Sequence, residues 1–210
     1  MAVAAMADEL NRHSEVMVSS PIYSQWKWAL DSLAALDGHR AEELEEEYVR
    51  LFMHHPDRTP CLPYESVYVD LGGQAVGWVT ALVEREYATA GLSLSPSLHD
   101  MPDHVAVELE FMAFLCAQEA SAWEREALAE GIQAIERQES FLERHLARWL
   151  PQWAKELGAV AGDGVYSLTA ATAGSFVCQD NDLLKAVLER MRRLSGATLE
   201  PAVRDNGHLG

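Results

Sequence analysis

At 210 residues, with 49% hydrophobic and 23% charged residues, the chain has the length and mixture of an ordinary globular protein and is not disordered in character. No apolar run approaches the roughly 20 residues that span a bilayer, and the N-terminus (MAVAAMADELNRHSEVM) has neither a basic segment before an apolar core nor an Arg-Arg pair, so it does not read as an export signal. A formal net charge of −17 disfavours nucleic-acid binding, which needs cations to neutralise phosphates, and suits either plain solubility or a basic partner.

In chain order, Ser20-Pro21 gives an N-cap with proline at the first helical position, and Ile22, Trp26, Ala29, Leu33 and Leu36 follow at helical spacing. Leu44, Tyr48, Leu51 and Phe52 form the next stripe, backed by Glu42, Glu43, Glu45, Glu46 and Glu47, a run that reads as a solvated helix face. The stretch from His54 to Pro63 carries three prolines and predicts a loop. Helical period returns from about Gly73 to Ala90, with Gly91 as C-cap, and a second loop (LSLSPSLHDMP) runs to Pro102. Further helices are predicted over about 103–121, 123–149, 164–178 and 181–195, with a short turn near 152–157 and Asp180-Asn181-Asp182 capping the last helix. Strand alternation is nearly absent. The reading is all-α, a single-domain helical bundle over 1–195, in which a loop from Pro151 to Gly164 can set off a short C-terminal part, and a weakly ordered tail over 196–210. Cys61, Cys116 and Cys178 are scattered without CxxC spacing, as in a reducing compartment, and Cys116 and Cys178 sit in apolar helical patterns that predict burial.

Three stretches mix prolines, aromatics and charges beyond what a bundle needs: EYVRLF (47–52), PYESVY (63–68) and PDHVAVELEFM (102–112). Asp103 falls in the first turn of a helix, where a carboxylate suits the dipole and can cap. His104 has no evident capping role, and Glu108 lies one turn on, so the pair can be a hydrogen bond, a ligand pair or a surface ion pair. Glu65 and Ser66 can cap the helix after them, with Tyr64 and Tyr68 packing around it, and Tyr48, Leu51 and Phe52 have core spacing. No nucleophile elbow, phosphate loop or HExxH is present, and Gly72-Gly73 and Gly162-Asp163-Gly164 are isolated turns, so no catalytic residue is assigned. A metal cluster of His99, Asp100, Asp103, His104 and Glu108 lacks the paired Glu-x-x-His of helical di-iron proteins, and the adjacent His54-His55 point apart, so no metal site is assigned either.

The order of these motifs, an acidic helix ending in YxxLF, a proline loop leading to PYESVY, a helix, then PDHxxxELEFM, resembles the TorD/DmsD/NarJ family of molybdoenzyme maturation chaperones. Phe141-Leu142-Glu143-Arg144-His145-Leu146 and Trp149-Leu150-Pro151 extend the resemblance, which covers roughly 40–180, is dense from 48 to 112, and is nearer the TorD/DmsD branch. It implies a helical, non-catalytic, cytoplasmic chaperone without a resident cofactor, which holds the twin-arginine signal peptide of a molybdoenzyme catalytic subunit until that enzyme has its molybdenum cofactor. The family's peptide-binding positions fall on Tyr48, Leu51, Phe52, Pro63, Pro102, Asp103 and His104. A receptor for an Arg pair followed by an apolar stretch needs carboxylates beside an apolar groove. Asp103 and Glu65 are the candidate acids, Tyr48 and Phe52 the apolar wall, His104 an orienting group, and Tyr64 and Tyr68 stacking partners for arginine. Alternatives are a helical metal- or nucleotide-binding protein, or an acidic adaptor unrelated to export. Monomer and homodimer both stay open, as do the client and its reductase class.

Overall fold

Apolar side chains three and four residues apart wind the chain into helices that each bury one stripe. The computed structural model describes residues 23–35, 38–53, 59–69, 77–97 and 99–197, and every regular element among them is helical. In order these are α1 (Tyr23–Ala34), α2 (Gly38–Tyr48) running on into a π-helical turn (Val49–Met53), the single turn α3 (Glu65–Tyr68), α4 (Trp78–Thr89), α5 (Val105–Glu124), α6 (Leu128–Arg144), α7 (Leu146–Ala161) and α8 (Val165–Ala197). The predicted Ser20-Pro21 cap, His54-His55 and Gly72-Gly73 lie outside the described residues.

The short link Arg125–Ala127 turns α5 back on α6, with Glu126 at φ 55, and Phe111 meets Phe141 edge-on at 4.8 Å. Gly162, at φ 66, lets α7 reverse into α8. The centre of the core is Leu51, Leu115, Phe141, Leu142, Leu146, Trp149, Leu150 and Leu157. Gly91 ends α4 as expected: it sits at φ 79, its N–H donates to Ala88 O at 3.0 Å and that of Leu92 to Tyr87 O at 2.9 Å.

Several expectations give way to packing. The loop and turn predicted between Pro151 and Gly164 are helix as far as Ala161, and Pro151 lies inside α7. Leu146, Trp149, Leu150, Trp153, Ala154 and Leu157 are all buried along that helix. Burial at about 1.5–3 kcal/mol per large apolar side chain outweighs the roughly 3 kcal/mol that an internal proline costs. The predicted 123–149 helix is instead cut at His145, where φ −124 and ψ −97 leave helical space. Asp180-Asn181-Asp182 caps nothing: α8 runs through it, because Val177, Leu184 and Leu188 continue one buried stripe. Gly196 and Ala197, assigned to the tail, end α8, and 198–210 lie outside the described residues. Cys116 and Cys178 are exposed, and it is Cys61, in the proline loop, that is buried.

Candidate functional site

Two loops that are 39 residues apart in sequence, one carrying Pro63-Tyr64-Glu65 and the other Pro102-Asp103-His104, meet as a short antiparallel pairing of Tyr64 with His104. Glu65 N–H donates to Asp103 O and Val105 N–H to Pro63 O, both at 2.9 Å. Pro63 and Pro102 lie at the pairing, where each lacks an N–H to donate and biases the residue before it towards extended backbone. The Tyr64 and His104 rings then meet edge-on at 5.1 Å.

Asp103 locks this junction from beneath. It is fully buried, its Oδ2 accepts from Ser66 N–H at 3.0 Å, and its Oδ1 accepts from the Thr80 hydroxyl at 2.9 Å, so one carboxylate ties the PDH loop to α3 and α4. It is not the helix cap. That role belongs to His104, contrary to the sequence expectation, because its backbone is extended (φ −74, ψ 139) and its Nδ1 accepts from Ala106 N–H at 3.1 Å. Burial lowers the His104 pKa, against a raising influence from Asp100 and Asp103. The His104 and Glu108 side chains form no hydrogen bond: Glu108 is buried and accepts from Trp149 Nε1 at 3.1 Å.

Glu65 caps no helix through its side chain either. It is the first residue of α3, 1% exposed, with Oε2 2.8 Å from His145 Nδ1. The FLERHL–WLP segment of the sequence therefore forms the floor of the junction, with His145 under Glu65 and Trp149 under Glu108. Tyr68 stacks on Trp149 at 5.8 Å, and burial, then Glu156, pushes its hydroxyl pKa up. Pro63 is buried, Pro102 half-buried, and Pro102 O accepts from the Tyr87 hydroxyl at 2.8 Å.

The outer face is aromatic and acidic. Tyr48, which has core spacing, is 42% exposed, whereas Leu51 and Phe52 are buried. The π-helical turn explains the split, since its extra residue per turn re-aims the chain after Tyr48 and lets the adjacent Leu51 and Phe52 both face inward. Leu51 O accepts from Cys61 N–H at 2.9 Å, which ties the turn to the proline loop. Phe52 packs with Tyr48 at 5.0 Å, Tyr166 at 5.4 Å and Trp153 at 6.3 Å. Tyr64 is half-buried and donates to the exposed Asp100 Oδ1 at 3.2 Å, and burial first, then Asp100 and Tyr48, raise its pKa. Glu47 and Glu45 extend the negative field towards Tyr166.

The predicted residues thus divide. Tyr48, Tyr64 and His104 reach the surface, Phe52, Pro63, Tyr68 and Pro102 lie buried or half-buried behind them, and Leu51, Glu65 and Asp103 are internal supports. Sequence reasoning missed Asp100 as part of the face, although it named the residue as a possible ligand, and missed Thr80, Tyr87 and Tyr166, which no motif marks. A groove of about 520 Å³ beside Tyr87, lined by Leu94, Val107, Phe111 and Phe114, contains none of the predicted residues. Among the described residues no group of three or more His, Cys, Asp or Glu side chains is arranged to hold a metal ion, and no helix is long and apolar enough to cross a membrane.

The family model described as nitrate reductase delta subunit matches residues 19–155. The chain is 30% identical over 190 residues to the chaperone protein TorD of Vibrio cholerae serotype O1, covering 89% of this chain and 79% of that one. It is 34% identical over 137 residues to the selenate reductase assembly chaperone protein of Thauera selenatis (65% of this chain, 67% of the relative). It is 32% identical over 161 residues to the chlorate reductase assembly chaperone protein of Ideonella dechloratans (77% and 80%). No solved structure matches.

Proposed function

Because the chain belongs to the nitrate reductase delta subunit family, on its TorD-like branch, we propose that it is a cytoplasmic, system-specific maturation chaperone for a molybdenum-cofactor reductase. It holds the client's twin-arginine signal peptide on the face of Tyr48, Tyr64 and His104 while the apoenzyme awaits its cofactor. Relatives named as chaperones and assembly chaperones, none as catalysts, support a non-enzymatic role.

The observation that carries the peptide reading is the junction of the PYES and PDH loops, which sets the half-buried Tyr64 and His104 rings beside the exposed carboxylate of Asp100. Tyr48 and Tyr64 offer ring faces to an apolar segment or a guanidinium. Asp103 already accepts two hydrogen bonds in the interior, so it acts by holding Tyr64 and His104 in register. Asp100, exposed and engaged among the described residues by the Tyr64 hydroxyl, is the acid that a peptide arginine meets.

The test is calorimetric titration of the full chain with twin-arginine signal peptides of molybdoenzymes and with their Lys-Lys variants. Binding that falls on Lys-Lys substitution supports the reading, because an ammonium cannot reproduce the guanidinium fork. Equal binding of both peptides removes the arginine preference, and no binding across the panel removes the signal peptide as ligand and leaves a chaperone that contacts the folded body of its client.

A further inference from the structure

Beneath the junction, three buried carboxyl groups share one interior with a single histidine. Asp103, Glu65 and Glu108 are 0–1% exposed, and His145 is 3% exposed. Asp103 has two donors. Glu65 has His145 Nδ1. Glu108 has one, the uncharged indole N–H of Trp149 on Oε2, while no donor among the described residues reaches its Oε1, which is fully buried.

An ionised carboxylate with a bare oxygen in such a place costs several kcal/mol, and the cost rises beside other acids. The groups that face Glu108 make matters worse for the anion. Glu65 on α3 and Asp103 in the loop before α5 both raise its pKa, and Tyr87 on α4 donates its proton to Pro102 O and not to Glu108. Glu110 is further along α5, and His145, at the α6–α7 break, is turned to Glu65. Besides the Trp149 indole, the groups that act on Glu108 are thus carboxyls, which bring only acceptor oxygens. Two acceptors become a hydrogen-bonded pair only when one of them carries a proton.

We propose that Glu108 is a protonated carboxylic acid in the folded protein and donates that proton to Glu65, so that Trp149, Glu108, Glu65 and His145 form one continuous buried hydrogen-bonded chain. This chain joins α5, α7, α3 and the α6–α7 break under the Tyr64–His104 pairing. Burial, then Glu65, push the Glu108 pKa well above its ordinary value, in the same direction. The inference concerns the support of the face and holds whatever binds there.

The sign of the linkage follows. A carboxyl whose folded pKa is raised binds more protons folded than unfolded, so its contribution to stability is full below the ordinary Glu range and is lost as pH rises towards the folded value. The experiment is an infrared spectrum of the native full chain at about pH 7, where ordinary Asp and Glu are ionised, together with melting curves of native protein and Glu108→Gln over about pH 5–9. A carboxylic-acid C=O band in the native protein, lost in Glu108→Gln, is expected. The amide of Gln donates to Glu65 without a titrating proton, so the melting temperature of native protein relative to Glu108→Gln is expected to fall as pH rises. Should Glu108→Gln not fold, Glu65→Gln supplies an N–H to Glu108 Oε1 and is expected to remove the same band. Absence of a protonated carboxyl band in the native protein overturns the proposal, as does a native-minus-variant melting difference that is flat or rises with pH.

Discussion

Asp103 and Asp100 stand three residues apart and do opposite things, and burial is the reason. Asp103→Ala removes two charge-assisted hydrogen bonds and strands Ser66 N–H and the Thr80 hydroxyl, an expected loss of about 3 kcal/mol in denaturant unfolding. Asp100→Asn touches only an exposed contact and is expected to leave stability within about 0.5 kcal/mol, while peptide affinity falls in the titration. Retained affinity in Asp100→Asn would take that acid out of the binding face. His104 gives a third residue-scale test. Its cap needs a neutral Nδ1, and its pKa is lowered by burial. Stability from this group is therefore full above the ordinary histidine value of 6.5 and is lost as pH falls through the lowered folded value. His104→Asn is expected to keep the cap and remove this pH dependence, whereas His104→Ala costs about 1 kcal/mol at neutral pH, both read from melting curves.

At the scale of elements, the α5–α6 hairpin depends on one glycine. A Cβ on Gly131 would lie 2.6 Å from the ring of Trp123, which is held by its Nε1 bond to Glu119 at 2.9 Å. Gly to Ala inside a helix gains about 0.5–1 kcal/mol in propensity, and overpacking costs about 1–3 kcal/mol, so packing decides the sign. Gly131→Ala is expected to lower the melting temperature in the native background and to raise it in a Trp123→Ala background. The same sign in both would mean that the indole yields freely. The π-helical turn after α2 makes a similar point about elements. The stripe of Tyr48, Leu51 and Phe52 is legible as helix, but only the widened turn separates an exposed Tyr48 from a buried Phe52.

At the scale of the whole molecule, the charge of −17 sets a long-range field for any cationic peptide. Such a field speeds encounter and is screened within about 8 Å at physiological ionic strength. The association rate of a twin-arginine peptide, followed by stopped flow, is expected to fall steeply with added salt, and that of the Lys-Lys peptide equally so. A difference confined to dissociation would place the arginine preference in short-range contacts. Rates indifferent to salt would mean that the acidic surface serves solubility alone.

The sequence by itself determined the helical class, the carboxyl-terminal stop of α4 at Gly91, the solvated glutamates of α2 and the family resemblance, because each depends on local spacing or on short motifs. It also singled out the PYES and PDH stretches. What only the tertiary structure decided is how those stretches are used. Asp103 and Glu65 read as candidate acids for a peptide because residue type shows charge and hides depth. Their burial depends on Thr80 and Ser66 for Asp103 and on His145 for Glu65, partners from other elements that are brought in by chain reversals. Pro151 and Asp180-Asn181-Asp182 signal breaks locally, yet buried stripes on α7 and α8 carry helix through both. Local propensity is worth fractions of a kcal/mol to about 3 kcal/mol per residue, and several large side chains buried together exceed it.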